Sequence, residues 1–100
     1  MPELHDKEVT EIFKALSHPI RQQIILILAD SHENHGVGFT ALQSSLNSKK
    51  SSKPIQVGSI YHHIGLLGSL LNQTPEKAWI LSESGWLAHK LLQSTHDRSE

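Results

Sequence analysis

Four lysines and a short row of uncharged hydrogen-bonding side chains are the residues of this chain best suited to chemistry. Lys49, Lys50 and Lys53 lie within five positions of one another, Gln56, Ser59, Tyr61 and His62 follow them at once, and Lys77 stands apart. Lysine ammonium groups neutralise phosphates, glutamine can pair with adenine, and serine or histidine can reach a base edge or a phosphate. The order suits contact with a nucleic-acid duplex, with cations for the backbone and neutral donors and acceptors for the bases. The plainer reading of the lysines is a solvated loop, as most charge runs are. Tyr61 can equally pack against the protein.

Other chemistries find little support. The chain contains no G-x-S-x-G, no H-E-x-x-H, no Gly-rich phosphate loop and no cysteine, so the common nucleophilic, metalloprotease and phosphate-cradling patterns are missing. Without cysteine there are neither disulfides nor thiolate metal sites. Paired carboxylates occur only in the N-terminal segment, where they read as a solvated helix face. His32 and His35 stand three apart beside Asp30 and Glu33, but zinc needs three or four convergent ligands and loop histidines are ordinarily solvated. The expectation is a protein that is not an enzyme, with no metal and no cofactor.

Length and charge narrow the class further. At 100 residues and 37% hydrophobic content the chain fits one domain with a periodic core. Its longest apolar run, Ile24–Ala29, is far too short to span a bilayer. The first residues, MPELHDKE, lack a basic stretch followed by an apolar one, so a cytoplasmic protein is expected. A net charge of -1 argues against coating nucleic acid by bulk charge. The distribution says more: no acid occurs between Glu33 and Glu76, so the central third is locally basic.

These residues need elements to position them. Val9, Ile12, Phe13 and Leu16 recur at i, i+3, i+4 and i+7, predicting a helix from about Asp6 to Leu16. Ser17 is a plausible cap before Pro19, which suits a helix's first turn, and the helix that follows to about Asp30 is apolar on much of its girth and should form the core. Val37–Phe39 reads as a short strand, and Thr40 as the cap of a helix over Ala41–Leu46. A fourth helix begins between Ile55 and Ser59 and ends near Leu70, burying Ile60, Ile64, Leu67 and Leu71. Gly58, His62, Gly65 and Ser69 mark its opposite face; glycines there cost about 1 kcal/mol each in a helix interior, unless something packs closely against them. His63, beside the apolar stripe, reads as a partly buried histidine with a backbone partner. Leu70–Asn72 and Ala78–Leu81 read as a hairpin, and Ser82 as the cap of a last helix from Glu83 to about Ser94. The result is a mainly α fold of about five helices with a small β-hairpin wing. The third and fourth helices form a helix-turn-helix candidate.

Three segments, in this order, resemble the ArsR-like winged helix-turn-helix regulators of archaea and bacteria. Ala15-Leu16-Ser17-His18-Pro19-Ile20-Arg21 resembles that family's A-L-x-[HD]-P-x-R corner. Ile60–Leu67 resembles its recognition-helix pattern, and Trp79–Gly85 its exit from the wing, aromatic-x-L-[ST]-x-x-G. The resemblance implies a single winged helix-turn-helix domain over residues 1–100, with a core from about 6 to 94. It also implies a homodimeric transcriptional regulator that inserts the helix around residues 56–70 into the major groove of double-stranded DNA. Gln56, Ser59, Tyr61 and His62 would meet bases, and Lys49, Lys50, Lys53 and Lys77 phosphates. First and last helices often form the dimer interface in this family, which implicates Leu4, Val9, Phe13, Trp86, Leu87, Ala88, Leu91 and Leu92. Gly65 and Leu66 stand where the family carries basic or polar residues, and the linker Asn47–Val57 is long. Those departures tell against sequence-specific, high-affinity DNA binding. The glycine-lined, acid-free but weakly basic face of that helix and the near-neutral total charge support the alternative, a winged-helix protein-interaction module without sequence-specific DNA binding.

Overall fold

A computed structural model describes residues 6–31, 36–47 and 54–98. Helix α1 spans Asp6–Ala15 and α2 spans Pro19–Asp30. The apolar stripe of α1 splits: Ile12 and Leu16 are buried, Val9 is half-buried, and Phe13 is 57% exposed. The corner between the helices differs from the expectation in one respect. Ser17 does not cap α2; its hydroxyl donates to the Lys14 carbonyl (2.8 Å) and closes the end of α1. His18 is the cap, extended at φ -125 and ψ 134, with its Nδ1 accepting the Ile20 N–H at 3.1 Å. Pro19 decides this, because a proline ring drives the residue before it out of the helical region and into the extended geometry a cap requires. Ser17 lies one residue too early.

Helix α2 is the hub. Ile24, Ile25, Leu28 and Ala29 are buried, and the helix packs against α5, α3, α4 and the second hairpin strand. Helix α3 spans Phe39–Asn47, beginning earlier than the expected Ala41, with Leu42 and Leu46 buried as their spacing requires. Thr40 therefore lies inside the helix, and the Gly38 carbonyl accepts its first bond, from Leu42 N–H. The expected strand at Val37–Phe39 reduces to one antiparallel bridge between Val37 and Trp79. Phe39 is already helical, which leaves no room for a longer ladder.

Helix α4 spans Val57–Leu67 and buries Ile60, His63, Ile64 and Leu67. It ends at Gly68, where φ is +47, and the chain tightens into a 3₁₀ turn over Gly68–Leu70. A residue with a side chain rarely adopts that φ. Strands β1 (Leu71–Gln73) and β2 (Trp79–Leu81) pair antiparallel with Leu71 opposite Leu81 and Gln73 opposite Trp79. Leu71 is buried as expected, but from the strand instead of α4. Helix α5 spans Glu83–Arg98, and Ser82 caps it as read, its Oγ accepting the Gly85 N–H at 3.1 Å. The same hydroxyl donates to the Ser69 carbonyl at 2.6 Å, which fastens the start of α5 to the 3₁₀ turn.

Nothing lies within 4 Å of where a Cβ at Gly58 or Gly65 would stand. No close packing accounts for these glycines, so Gly65 is a plain helix-interior cost. Gly65→Ala is expected to stabilise the fold by about 1 kcal/mol, read as a higher urea midpoint with unchanged slope. Among the described residues, no helix is long and apolar enough to cross a membrane.

Candidate nucleic-acid interface

The outer face of α4 lies open. Gln56, Val57, Gly58, Ser59, Tyr61, His62, Gly65 and Leu66 are all exposed, while Ile60, His63, Ile64 and Leu67 turn inward. Gln56 is the cap residue but makes no side-chain capping bond, so its amide is not spent on the helix end. The sequence of α4, VGSIYHHIGLL, contains no lysine, arginine or acid. The outer face therefore offers neutral hydrogen-bonding groups, apolar surface and one histidine, His62.

Tyr61 is more committed than its neighbours. Its ring stacks on Phe39 at the start of α3, with centroids 4.4 Å apart and planes within 8°. Stacked aromatics of this kind add about 0.5–1.5 kcal/mol beyond their buried area. The pair braces α3 against α4, yet Tyr61 remains 52% exposed. Phe39 reads as a strand residue in the sequence, and nothing in its spacing from Tyr61 brings the two rings together.

Of the four lysines, only Lys77 falls among the described residues. It is exposed in the turn between the strands, at φ +68, with its N–H donating to the Thr74 carbonyl at 2.8 Å. Thr74 Oγ1 also accepts the Ala78 N–H at 3.1 Å, so the wing tip is held from within. Lys49, Lys50 and Lys53 lie outside the described residues. The ends of their segment are joined, since Asn47 Oδ1 accepts the Ile55 N–H at 2.7 Å. The chain therefore leaves α3 and returns to α4 at one place, beside the N-terminus of α4.

The inner side of α4 meets the α1–α2 corner through Arg21. This residue is only 9% exposed. Its Nε donates to the Ala15 carbonyl at 2.6 Å, its Nη1 donates to His63 Nδ1 at 3.0 Å, and its Nη2 reaches Ser17 Oγ at 3.5 Å. Gln22 Nε2 donates to the Leu16 carbonyl at 2.7 Å. Arg21 and Gln22 together satisfy carbonyls that the end of α1 leaves without helical partners. The partner of His63 is thus a side chain from another helix and not the backbone group expected. The His18 ring lies 4.5 Å from that of His63, and the His62 ring 5.5 Å. Burial, then His18, Arg21 and His62 in that order, hold the pKa of His63 below its ordinary value.

Comparison with known protein families, with curated proteins and with solved structures gives no match. Among the described residues the arrangement, five α-helices with a two-stranded antiparallel hairpin between α4 and α5, is consistent with a winged helix.

The residues implicated in dimer formation divide into four groups. Phe13 (57%) and Trp86 (39%) are exposed, and Val9, Leu87 and Leu91 are half-buried. Ala88 and Leu92, at 0% and 9%, belong to the buried core, so Ala88 has no exposed surface and Leu92 little. Leu4 lies outside the described residues. Trp86, Leu87, His89, Lys90 and Gln93 line an open depression of about 470 Å³ along α5. Among the described residues no group of three or more His, Cys, Asp or Glu side chains could hold a metal ion. His32, Glu33 and His35 fall outside those residues.

Proposed function

We propose that this chain is a DNA-binding transcriptional regulator of the ArsR-like winged-helix kind, cytoplasmic and without enzymatic activity, which acts as a homodimer. The observation that carries the reading is the uncovered outer face of α4, where Gln56, Ser59 and His62 stand exposed on a helix whose other side is locked into the core. In a helix-turn-helix the second helix enters the major groove with its N-terminal residues leading, which brings Gln56 and Ser59 to base edges first. Lys77, exposed in the turn between the strands, would meet a backbone phosphate, and Lys49, Lys50 and Lys53 precede α4 in the chain. Two copies joined through α1 and α5, with Phe13 and Trp86 at the contact, would offer two such helices to half-sites roughly 34 Å apart.

One observation favours a second reading. The outer face of α4 has no cation and exposes Val57 (47%), Tyr61 (52%) and Leu66 (52%), a composition that also suits a protein partner. Fluorescence anisotropy with random-sequence duplex separates the two. A regulator binds at low salt and weakens steeply as salt rises. With four lysines per chain in a dimer, the slope of log K against log salt is at most about −7. Changing Lys49, Lys50 and Lys53 to alanine should make that slope shallower by about 5 and weaken binding to every sequence alike. No binding at low salt, together with no effect of the three replacements on partner capture, would leave the interaction module as the surviving reading.

A further inference from the structure

Among the described residues, the titratable side chains that meet between the α1–α2 corner and α4 are bases. From the corner, Arg21 and His18 face His63; from α4 itself, His62 does so; Tyr61 turns away to Phe39 on α3. Among the described residues, the charged and titratable groups that act on His63 are His18, Arg21 and His62, with no carboxylate among them. A buried cation without an acid partner is held by neutral acceptors. For Arg21 these are the Ala15 carbonyl, Ser17 Oγ and the lone pair of His63 Nδ1. A guanidinium can only donate, so the hydrogen-bond network assigns neutral His63 its proton on Nε2 and a free lone pair on Nδ1.

We propose that the Arg21–His63 hydrogen bond is a proton-sensitive latch, which holds α4 against the α1–α2 corner while His63 is neutral and lets go when His63 takes a proton on Nδ1. The incoming proton, from solvent, occupies the lone pair that Arg21 uses. An N–H then faces an N–H, and two positive charges stand 3.0 Å apart in a site that is 8% exposed at His63. Both the hydrogen bond and the charge balance turn unfavourable in one step. Arg21 and His63 are positioning residues: they touch no ligand but set where the outer face of α4 stands. His62 is the next residue along and moves with the latch. The device is independent of whether DNA or a protein occupies that face.

The sign of the pH effect follows from the lowered pKa of His63. The unfolded or released chain binds the proton more readily than the latched one. The latch is therefore intact above the ordinary histidine value of 6.5 and weakens as pH falls below it, levelling off only beneath the lowered value.

The test uses the full chain and two NMR measurements between pH 7.5 and 5. Amide exchange, corrected for its intrinsic pH dependence, is read at Ile60, Ile64 and Leu67 of α4 relative to Ile24 and Ile25 of α2. The wild-type ratio should show a roughly tenfold loss of α4 protection over that range. His63→Asn keeps an acceptor oxygen near the Nδ1 position and cannot titrate, so its ratio should stay flat. A merely structural role for His63 would not produce a pH profile that the conservative variant removes. A flat wild-type ratio, or an equal pH dependence in H63N, overturns the latch. Should H63N not fold, the ring resonance of His63 in the wild type decides: titration below the other histidines supports the latch, and titration at or above them overturns it.

Discussion

Gly85→Ala is expected to lower the stability of the fold by about 3 kcal/mol, the upper part of the range for overpacking a filled site. A Cβ at Gly85 would run into the Leu70 carbonyl oxygen and stand 3.1 Å from both Cβ and Cδ2 of Leu81. The leucine side chain can give way, but the carbonyl cannot. It accepts the Ser82 N–H at 2.9 Å, and the neighbouring Ser69 carbonyl accepts the Ser82 hydroxyl at 2.6 Å. A methyl group here must lift the first turn of α5 off the 3₁₀ turn, which breaks the Ser82 anchor and pulls on β2, whose last residue is Leu81. Alanine gains at most about 1 kcal/mol of helix propensity over glycine, too little to offset this. The check is urea unfolding of Gly85→Ala beside Gly65→Ala. Both are glycine-to-alanine changes in helices of one protein, and they should move the midpoint in opposite directions. For a chain of this size the Gly85 variant should also melt on the order of 15 °C lower. A midpoint unchanged or raised in Gly85→Ala would mean that the start of α5 is not seated on Leu70.

That glycine illustrates which parts of the molecule could be read in advance. Its place at the end of the Trp79–Gly85 pattern was visible, as was the cap at Ser82, because both are local. Helical periodicity likewise separated the buried Ile60, Ile64 and Leu67 from the open side at Gly58, His62 and Gly65. The misplacements arise where neighbours in space override residue type. Serine outranks histidine as a helix cap in general, but Pro19 hands the position to His18. Threonine and glycine are near-equal caps at the next start, so residue type alone does not decide it, and the Val37–Trp79 bridge delivers the chain so that Gly38 opens α3. On α5 one apolar stripe could serve a core and an interface alike. Only packing shows Ala88 and Leu92 in the first and Trp86 outside it. The Phe39–Tyr61 stack and the Arg21–His63 bond join residues 22 and 42 positions apart, and no periodicity in the chain announces either. Arg21 was visible as the last letter of the corner motif; what it holds was not.

Arg21→Ala is expected to cost about 3 kcal/mol, and lysine at the same position should recover less than half of it. The alanine variant removes a charged donor from the Ala15 carbonyl and from His63 Nδ1, bonds of a class worth roughly 1.5–3 kcal/mol each, net of exchange with water. It also empties the space of a long side chain that is only 9% exposed. Lysine restores the charge but not the fork. A single ammonium cannot reproduce the Nε and Nη1 geometry that serves α1 and α4 at once. The size of the loss has a specific source, since the corner and α4 share this one guanidinium, and a double-mutant cycle can isolate it. Arg21→Ala and His63→Ala, made singly and together and followed by urea unfolding at pH 7.5, should be non-additive by about 1–2 kcal/mol. At pH 5 the coupling should shrink, because protonated His63 no longer accepts from Arg21. Strict additivity at pH 7.5 would mean that Arg21 stabilises α1 alone and that α4 is held by its leucines and isoleucines without help from the corner.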